Sequence, residues 1–165
     1  MDKLFSFILF LITVSITHAQ SNSINGGHTF IISPGTSYQS QFFAELNLMY
    51  AGDKSLNGGP CSGSFAAGPR IGVEYNFNSS NNIIAPKIGY EVSGLVICLR
   101  ANAVYYIGKH INDLRLLPEA GFSLTGAINL TYGFSIPLLS NRLTEVSRSR
   151  ITLTFNCNKK LWRQF

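Results

Sequence analysis

The chain has 165 residues and a formal net charge of +5 at pH 7, but only 13% of its residues are charged, whereas 12% are aromatic. Its cations are scattered, so neither the basic stripe nor the recognisable module that nucleic-acid binding requires is visible. Its three cysteines show no CxxC spacing, so a zinc or redox motif has no support, and we expect neither a metal nor a cofactor. This composition is typical of an exported β protein with one domain.

The N-terminal segment has the layout of a secretory signal peptide. Lys3 precedes an apolar run from Leu4 to about Ile16, and the small residue Ala19 follows. That run is too short for a comfortable membrane span. We therefore predict that residues 1–19 are a signal peptide that is cleaved on export; an uncleaved N-terminal anchor is the alternative.

Two further parts follow the signal peptide. Residues 20–158 are predicted to form a single β-barrel domain, and residues 159–165 a basic and aromatic C-terminal tail. The tail, KKLWRQF, carries three cations around Trp162. Such a segment suits contact with anionic lipid headgroups, and a solvated chain end is the simpler alternative.

Apolar residues recur at every second position in most of the chain, which is the spacing of β-strands and not of helices. The pattern is clearest in RIGVEYNF, KIGYEVSG, INLTYGFSI and RITLTFN, where glycine, polar and charged residues occupy the other face. A weaker segment at 28–33 would bring the number of strands to eight. The other strands are predicted near 38–51, 67–78, 84–94, 95–107, 113–125, 127–138 and 148–158.

The connections between these strands alternate in length, as in a meander of hairpins. Short turns are predicted at one end of the sheet and longer, polar loops at the other. The segment 51–65 is too long for the short-turn end and breaks this rule. The short turns centre on Gly94 and Gly126, and the longer loops on 78–82, 108–113 and 140–146.

Charged residues lie in the middle of the predicted strands, on the polar face. In a soluble sheet this face would meet water. The reverse arrangement is favoured here, because the apolar face is large and aromatic, while the polar face carries the small residues that a narrow lumen needs. We predict a structural network of charges in the lumen, formed by Glu45, Arg70, Glu74, Lys87, Glu91, Arg100, Arg115, Glu119 and Arg150.

The apolar face is predicted to contact lipid, because strands of about ten residues are long enough to cross a bilayer at a tilt. Tyr50, Tyr75, Tyr105, Tyr106, Tyr132 and Trp162 are candidates for aromatic girdles at the two membrane interfaces. The lipid-facing set comprises Ile71, Val73, Tyr75, Ile88, Tyr90, Leu130, Tyr132, Phe134, Leu153 and Phe155.

These segments resemble the small outer-membrane β-barrel proteins of Gram-negative bacteria, including the porin-family barrels. The resemblance extends over about 28–158 and rests on RIGVEYNF, KIGYEVSG, INLTYGFSI and RITLTFN, the last of which is similar to the C-terminal signal read by the barrel-assembly machinery. Such barrels often end at the aromatic residue that closes the last strand, whereas KKLWRQF follows here.

The expected fold is therefore all-β: a single antiparallel up-and-down β-barrel of eight strands, preceded by a signal peptide. The resemblance implies a place in the bacterial outer membrane, with membrane lipid and, during biogenesis, the barrel-assembly machinery as partners. It also implies that the short turns lie on the periplasmic side and that the longer loops face outward.

No motif in the sequence specifies a reaction, and we expect a protein that is not an enzyme. The expected role is structural or depends on surface interaction through the outward loops. Two alternatives stay open. One is a soluble periplasmic β-barrel that binds a small apolar ligand in an inward-facing cavity. The other is a lipid-modifying enzyme with His110, Asp113 and Ser140 at its rim.

Overall fold

The computed structural model describes residues 28–55, 64–76, 82–109, 111–139 and 143–158. Several predictions from the sequence fall outside these ranges. They concern the signal peptide at 1–19, the tail at 159–165, and the residues Cys61, His110 and Ser140.

The described chain is all-β and forms a closed antiparallel barrel, as the sequence predicted. The strands follow one another around the barrel in the order β5, β4, β3, β2, β1, β9, β7, β6, and β6 pairs with β5 to close it. No helix long and apolar enough to cross a membrane occurs in the described ranges. The strands are β1 (His28–Tyr38), β2 (Phe42–Ser55), β3 (Ser64–Asn76), β4 (Ile84–Ser93), β5 (Ile97–Ile107), β6 (Asn112–Leu124), β7 (Ile128–Phe134), β8 (Ile136–Pro137) and β9 (Ser149–Phe155).

The short strand β8 follows β7 in the chain, and both strands pair with β6. Glu119 lies opposite Gly133 of β7, and Arg115 lies opposite Pro137 of β8, so the register along β6 does not change. The two positions of β6 left unpaired between β7 and β8 are Leu117 and Pro118, and Pro118 has no N–H to donate to the ladder. The barrel therefore has eight positions around its circumference, one of them shared by β7 and β8. The weak candidate at 28–33 is confirmed as part of β1.

Three further prolines coincide with gaps in the ladders. Pro34 lies at a gap between β1 and β9, Pro69 at one between β2 and β3, and Pro86 at one between β4 and β5. Like Pro118, each points outward and is paired in register on its other side. Interrupted and continuous ladders therefore alternate around the barrel, and the continuous ones join β1–β2, β3–β4, β5–β6 and β7–β9.

The two ends of the barrel differ in their connections. The terminal end holds the first residue of β1, the last residue of β9 and the short turns at Gly94 and Gly126, where they were predicted. Thr125 and Gly126 both have positive φ, 52° and 77°, and Ala127 N–H donates to Leu124 O at 2.9 Å, which is the backbone pattern of a two-residue hairpin turn. The longer connection between β2 and β3 also belongs to the terminal end. The opposite end, called the loop end, holds the connections from β3 to β4, from β5 to β6 and from β8 to β9.

The loop end also holds a short turn that the sequence did not indicate. It joins β1 to β2 through residues 39–41, and Ser40 has a φ of 68°. Residues 39–41 were assigned to a predicted strand beginning at 38, because the sequence QSQ contains neither glycine nor proline to signal a turn. That assignment was wrong.

Inward-facing side chains form three layers, as β2 illustrates. Along this strand the inward residues are Phe43, Glu45, Asn47, Met49 and Ala51, in that order from the loop end. Polar and charged residues thus lie between two apolar layers. The terminal-end layer comprises Ile31, Met49, Ala51, Ala66 and Ala127, with Ile128 against it; the loop-end layer comprises Phe43, Ile83, Ala85, Val104, Tyr106, Leu117 and Val146, with Leu143 against it.

Candidate functional site: the barrel interior and its outward face

Two carboxylates of neighbouring strands lie directly opposite each other inside the barrel. Glu45 of β2 pairs in register with Glu74 of β3, and like charges in this position repel. The ammonium group of Lys87 lies between them, with Nζ 2.6 Å from Glu45 Oε2 and 2.9 Å from Glu74 Oε1. Lys87 therefore converts a repulsive pair into a bridged one.

Arg150 extends this group of charges from the other side of the barrel. Its guanidinium lies 3.2 Å from Glu45, 2.9 Å from Glu74 and 3.5 Å from Glu119. Gly133 lies in register between Glu119 and Arg150, and a Cβ on it would lie 2.7 Å from Glu119 Cγ and 3.2 Å from Arg150 Cγ. Glycine at this position therefore makes room for the ion pair.

A second group of charges centres on Glu91, nearer the terminal end. Its Oε2 lies 2.5 Å from Arg70 Nη1 and 2.9 Å from Arg100 Nε. The side-chain amides of Asn129 and Asn156 donate to its Oε1, at 3.1 and 3.4 Å. Because Glu91 accepts hydrogen bonds from Arg70, Asn129 and Asn156 and forms an ion pair with Arg100, both of its oxygens are compensated inside the barrel.

A third group lies at the loop end and corrects a prediction. Asp113, which the sequence placed in a rim loop, belongs to β6, is fully buried and lies 2.7 Å from Arg115 Nη2. Arg115 also donates to the main-chain carbonyls of Leu143, Val146 and Ser147, at 2.8, 2.9 and 3.2 Å. Residues 143–148, called the cap, are therefore folded into the mouth of the barrel.

The buried charges balance within the described part of the chain. Moving an ion out of water costs several kcal/mol, so a buried set of this size requires dense pairing. Five carboxylates and five cations are buried, and the nine residues of the predicted lumen network are among them. The set comprises Glu45, Glu74, Glu91, Asp113, Glu119, Arg70, Lys87, Arg100, Arg115 and Arg150.

The outward face of the strands is apolar. Among strand residues whose side chains the structure describes, those that point outward include no charged residue. Aromatic pairs lie near both ends of the β1–β2 hairpin: Phe30 with Tyr50, ring centroids 5.1 Å apart, and Tyr38 with Phe42, 4.9 Å apart. Of the residues predicted to face lipid, Tyr75 and Leu153 are half-buried, and Ile71, Val73, Ile88, Tyr90, Leu130, Tyr132, Phe134 and Phe155 are exposed.

Tyr106 was predicted in an aromatic girdle, and this was wrong. Its side chain is fully buried in the loop-end layer, where its hydroxyl donates to Gln39 Oε1 at 3.2 Å. The Arg115 guanidinium lies over its ring, 5.4 Å from the centroid. Period two continued along β5 from Arg100 and Asn102 places Tyr106 inward and Tyr105 outward, so this orientation was predictable from the sequence.

The two cysteines that the structure describes fall on opposite faces. Cys98 is fully buried in the interior, whereas Cys157 is exposed, and neither forms a disulfide. Within the described ranges, no three His, Cys, Asp or Glu side chains are placed to hold a metal ion.

The sequence did not assign the neutral polar residues that complete the interior network. Asn102 and Thr152 donate to Glu119, at 2.9 and 2.8 Å, and Thr154 accepts from Arg100 at 2.5 Å. All of them lie on the polar face that the alternation identified, so their inward orientation was predictable. Their specific partners depend on the register between strands, which alternation does not reveal.

Comparison with protein-family models, curated proteins and solved structures returned no match for this chain.

Proposed function

We propose that this chain is a bacterial outer-membrane β-barrel, exported by a cleaved signal peptide, whose lumen is closed by its own side chains. Its role is structural or depends on surface interaction, carried by the connections at the loop end. The proposal adds a location and a role to the barrel fold described above.

The observation that carries this proposal is the apolar outward face. Soluble monomeric proteins rarely expose contiguous apolar patches beyond a few hundred Å². In this barrel, Ile71 and Tyr90 are 54% and 51% exposed in the middle of neighbouring strands, while charged side chains such as Glu74 and Arg150 are buried. A bilayer solvates such an exterior, and a closed barrel leaves few backbone groups without partners in it.

Support for a closed lumen comes from the three inward layers. An eight-stranded barrel is narrow enough for side chains to fill it. The central layer contains balanced ion pairs, and an apolar layer lies on each side of it. Arg115 holds the cap over the loop-end layer through three carbonyls. A barrel packed in this way conducts ions poorly.

The two alternatives from the sequence have less support. A soluble barrel that binds an apolar ligand needs an oily cavity, but the middle of this interior is charged. A rim enzyme needs an available carboxylate at Asp113, but this side chain is buried against Arg115 and accepts the N–H of Leu143 at 3.1 Å.

Membrane fractionation tests the proposal directly. The mature protein should remain with outer membranes after urea extraction and should migrate differently on gels before and after heating. Purified protein in planar bilayers should show no sustained conductance. Recovery of the mature chain as a soluble monomer without detergent would contradict the proposed location, and stable channels would contradict the closed lumen.

A further inference from the structure

The turn between β4 and β5 is unlike the other turns of the barrel. Its residues Leu95 and Val96 are apolar and are 38% and 59% exposed. Beside it, Ile97, Phe122 and Leu124 are 63%, 71% and 52% exposed. These five residues, called the apolar rim, form one patch at the terminal end, because Ile97 lies opposite Phe122 in the β5–β6 ladder.

Three backbone groups of this turn have partners within the barrel. Gly94 N–H donates to Ile97 O at 3.0 Å. The carbonyls of Val96 and Leu95 accept from Ser123 N–H at 2.8 Å and from Thr125 N–H at 3.2 Å. The chain therefore continues the β5–β6 ladder through the turn. Each of these bonds lowers the cost of placing the turn against hydrocarbon, where a backbone group without a partner costs several kcal/mol.

The apolar rim is continuous with the outward face of the barrel. Ile97 and Phe122 also belong to the outward rows of β5 and β6, in which Leu99 and Leu116 are exposed as well. At the same end of the barrel, the end of β2, the connection 56–63 and the first residue of β3 together have the polar sequence DKSLNGGPCSGS. One side of the terminal end is thus apolar, and the other side is polar in sequence.

We propose that the apolar rim is immersed in the acyl-chain region of the membrane leaflet at the terminal end. Phospholipid is its partner, and the barrel is held with its β4–β7 side deeper in that leaflet than its β2–β3 side. This inference rests on the proposed function, because it requires the outward face to lie in a bilayer. The inference goes beyond the proposed function because it assigns a turn, as well as strands, to the contact with lipid.

Tryptophan fluorescence in bilayer nanodiscs tests the immersion. The only tryptophan, Trp162, is replaced by phenylalanine, and single tryptophans are introduced by Val96→Trp, Ile71→Trp or Thr144→Trp. Thr144 is exposed in the cap and serves as the aqueous control. Quenching is measured with phospholipids brominated near the headgroup or near the chain end, and with iodide, which reaches both faces of a nanodisc.

Immersion predicts that bromines near the headgroup quench position 96 and that iodide quenches it at least about threefold less than position 144, because ions are excluded from hydrocarbon. Bromines near the chain end should quench position 71. Iodide quenching at 96 equal to that at 144 would overturn the inference and leave the proposed function standing. Absence of lipid quenching at 71 would overturn both.

Shielding of position 96 from iodide and bromolipid alike would also overturn the inference, because a second copy or another protein would then cover the rim. Each variant must show the heat-dependent gel mobility of a folded barrel. If Val96→Trp fails that requirement, Leu95→Trp probes the same turn and is read by the same criteria.

Discussion

Arg150 of β9 donates two hydrogen bonds to Glu74 of β3, to Oε1 at 2.9 Å and to Oε2 at 3.1 Å, although 76 residues separate them in the chain. The strands β2 and β1 lie between β3 and β9, so the contact spans the interior. Both side chains are fully buried. Both bonds come from Nη1, and hydrogen bonds between ionised groups are roughly twice as strong as those between neutral groups.

Removal of Arg150 should therefore destabilise the barrel strongly. Arg150→Met leaves Glu74 and Glu119 without this partner, and breaking a buried ion pair costs about 3–5 kcal/mol. In a double-mutant cycle with Glu74→Gln, the coupling energy should be about 0.5–3 kcal/mol. Urea unfolding in lipid bilayers measures both quantities. Purely additive effects of the two substitutions would show that the contact does not act as a pair.

A lysine on the outward face of β4 should show how deep that face lies in a bilayer. Ile88 and Ile84 are on the same strand and face and are 48% and 47% exposed. Ile88→Lys, in mid-strand, should cost about 2–4 kcal/mol of folding free energy, whereas Ile84→Lys, at the loop end of the strand, should cost about 0–1 kcal/mol. Equal and small costs at the two positions would indicate that this face meets water.

Asparagine at position 125 should stabilise the barrel. Thr125 has a positive φ of 52°, a conformation that disfavours β-branched residues and favours asparagine or glycine. Thr125→Asn should raise the free energy of unfolding by about 1 kcal/mol. Thr144→Asn is the matched control, because Thr144 has no positive φ. Equal effects of the two substitutions would rule out relief of backbone strain as the cause.

Loss of the Arg115 side chain should loosen the cap before the barrel. Arg115→Gln removes most of the donors that hold the carbonyls of Leu143, Val146 and Ser147. Hydrogen exchange measured by mass spectrometry should therefore rise in 143–148, with little change in β1 to β5. The exposed Arg148 provides the control, and Arg148→Gln should leave exchange unchanged. Unaltered protection of the cap in Arg115→Gln would contradict its assigned role.

The alternation of apolar and polar residues predicted the barrel and the inward orientation of its charges, because it depends only on the period of two along each strand. It did not predict the apolar layers at the ends of the lumen. Met49 and Val104 turn inward there, beyond the reach of the charged network. An apolar residue on the inward face interrupts the alternation of apolar and polar residues, so the sequence pattern does not identify it as a layer.

Contacts between distant residues were also beyond sequence analysis. The sequence placed Asp113 at the boundary between a predicted loop and a predicted strand, whereas β6 begins one residue earlier, at Asn112. A strand boundary predicted from sequence is uncertain by more than this one residue. The cap was not predicted, since it is held by carbonyls, which every residue possesses. Nothing in its side chains marks 143–148 as the partner of Arg115.

The four outward prolines bear on the order in which the barrel assembles. They lie between the continuous hairpins β1–β2, β3–β4, β5–β6 and β7–β9, at the seams where one hairpin meets the next. Each hairpin can complete its own hydrogen bonds early, while a proline at every such seam blocks part of an edge that would otherwise recruit a wrong strand. We therefore expect closure to join four preformed hairpins, and we expect the prolines that weaken the finished seams to protect the unfinished ones from aggregation.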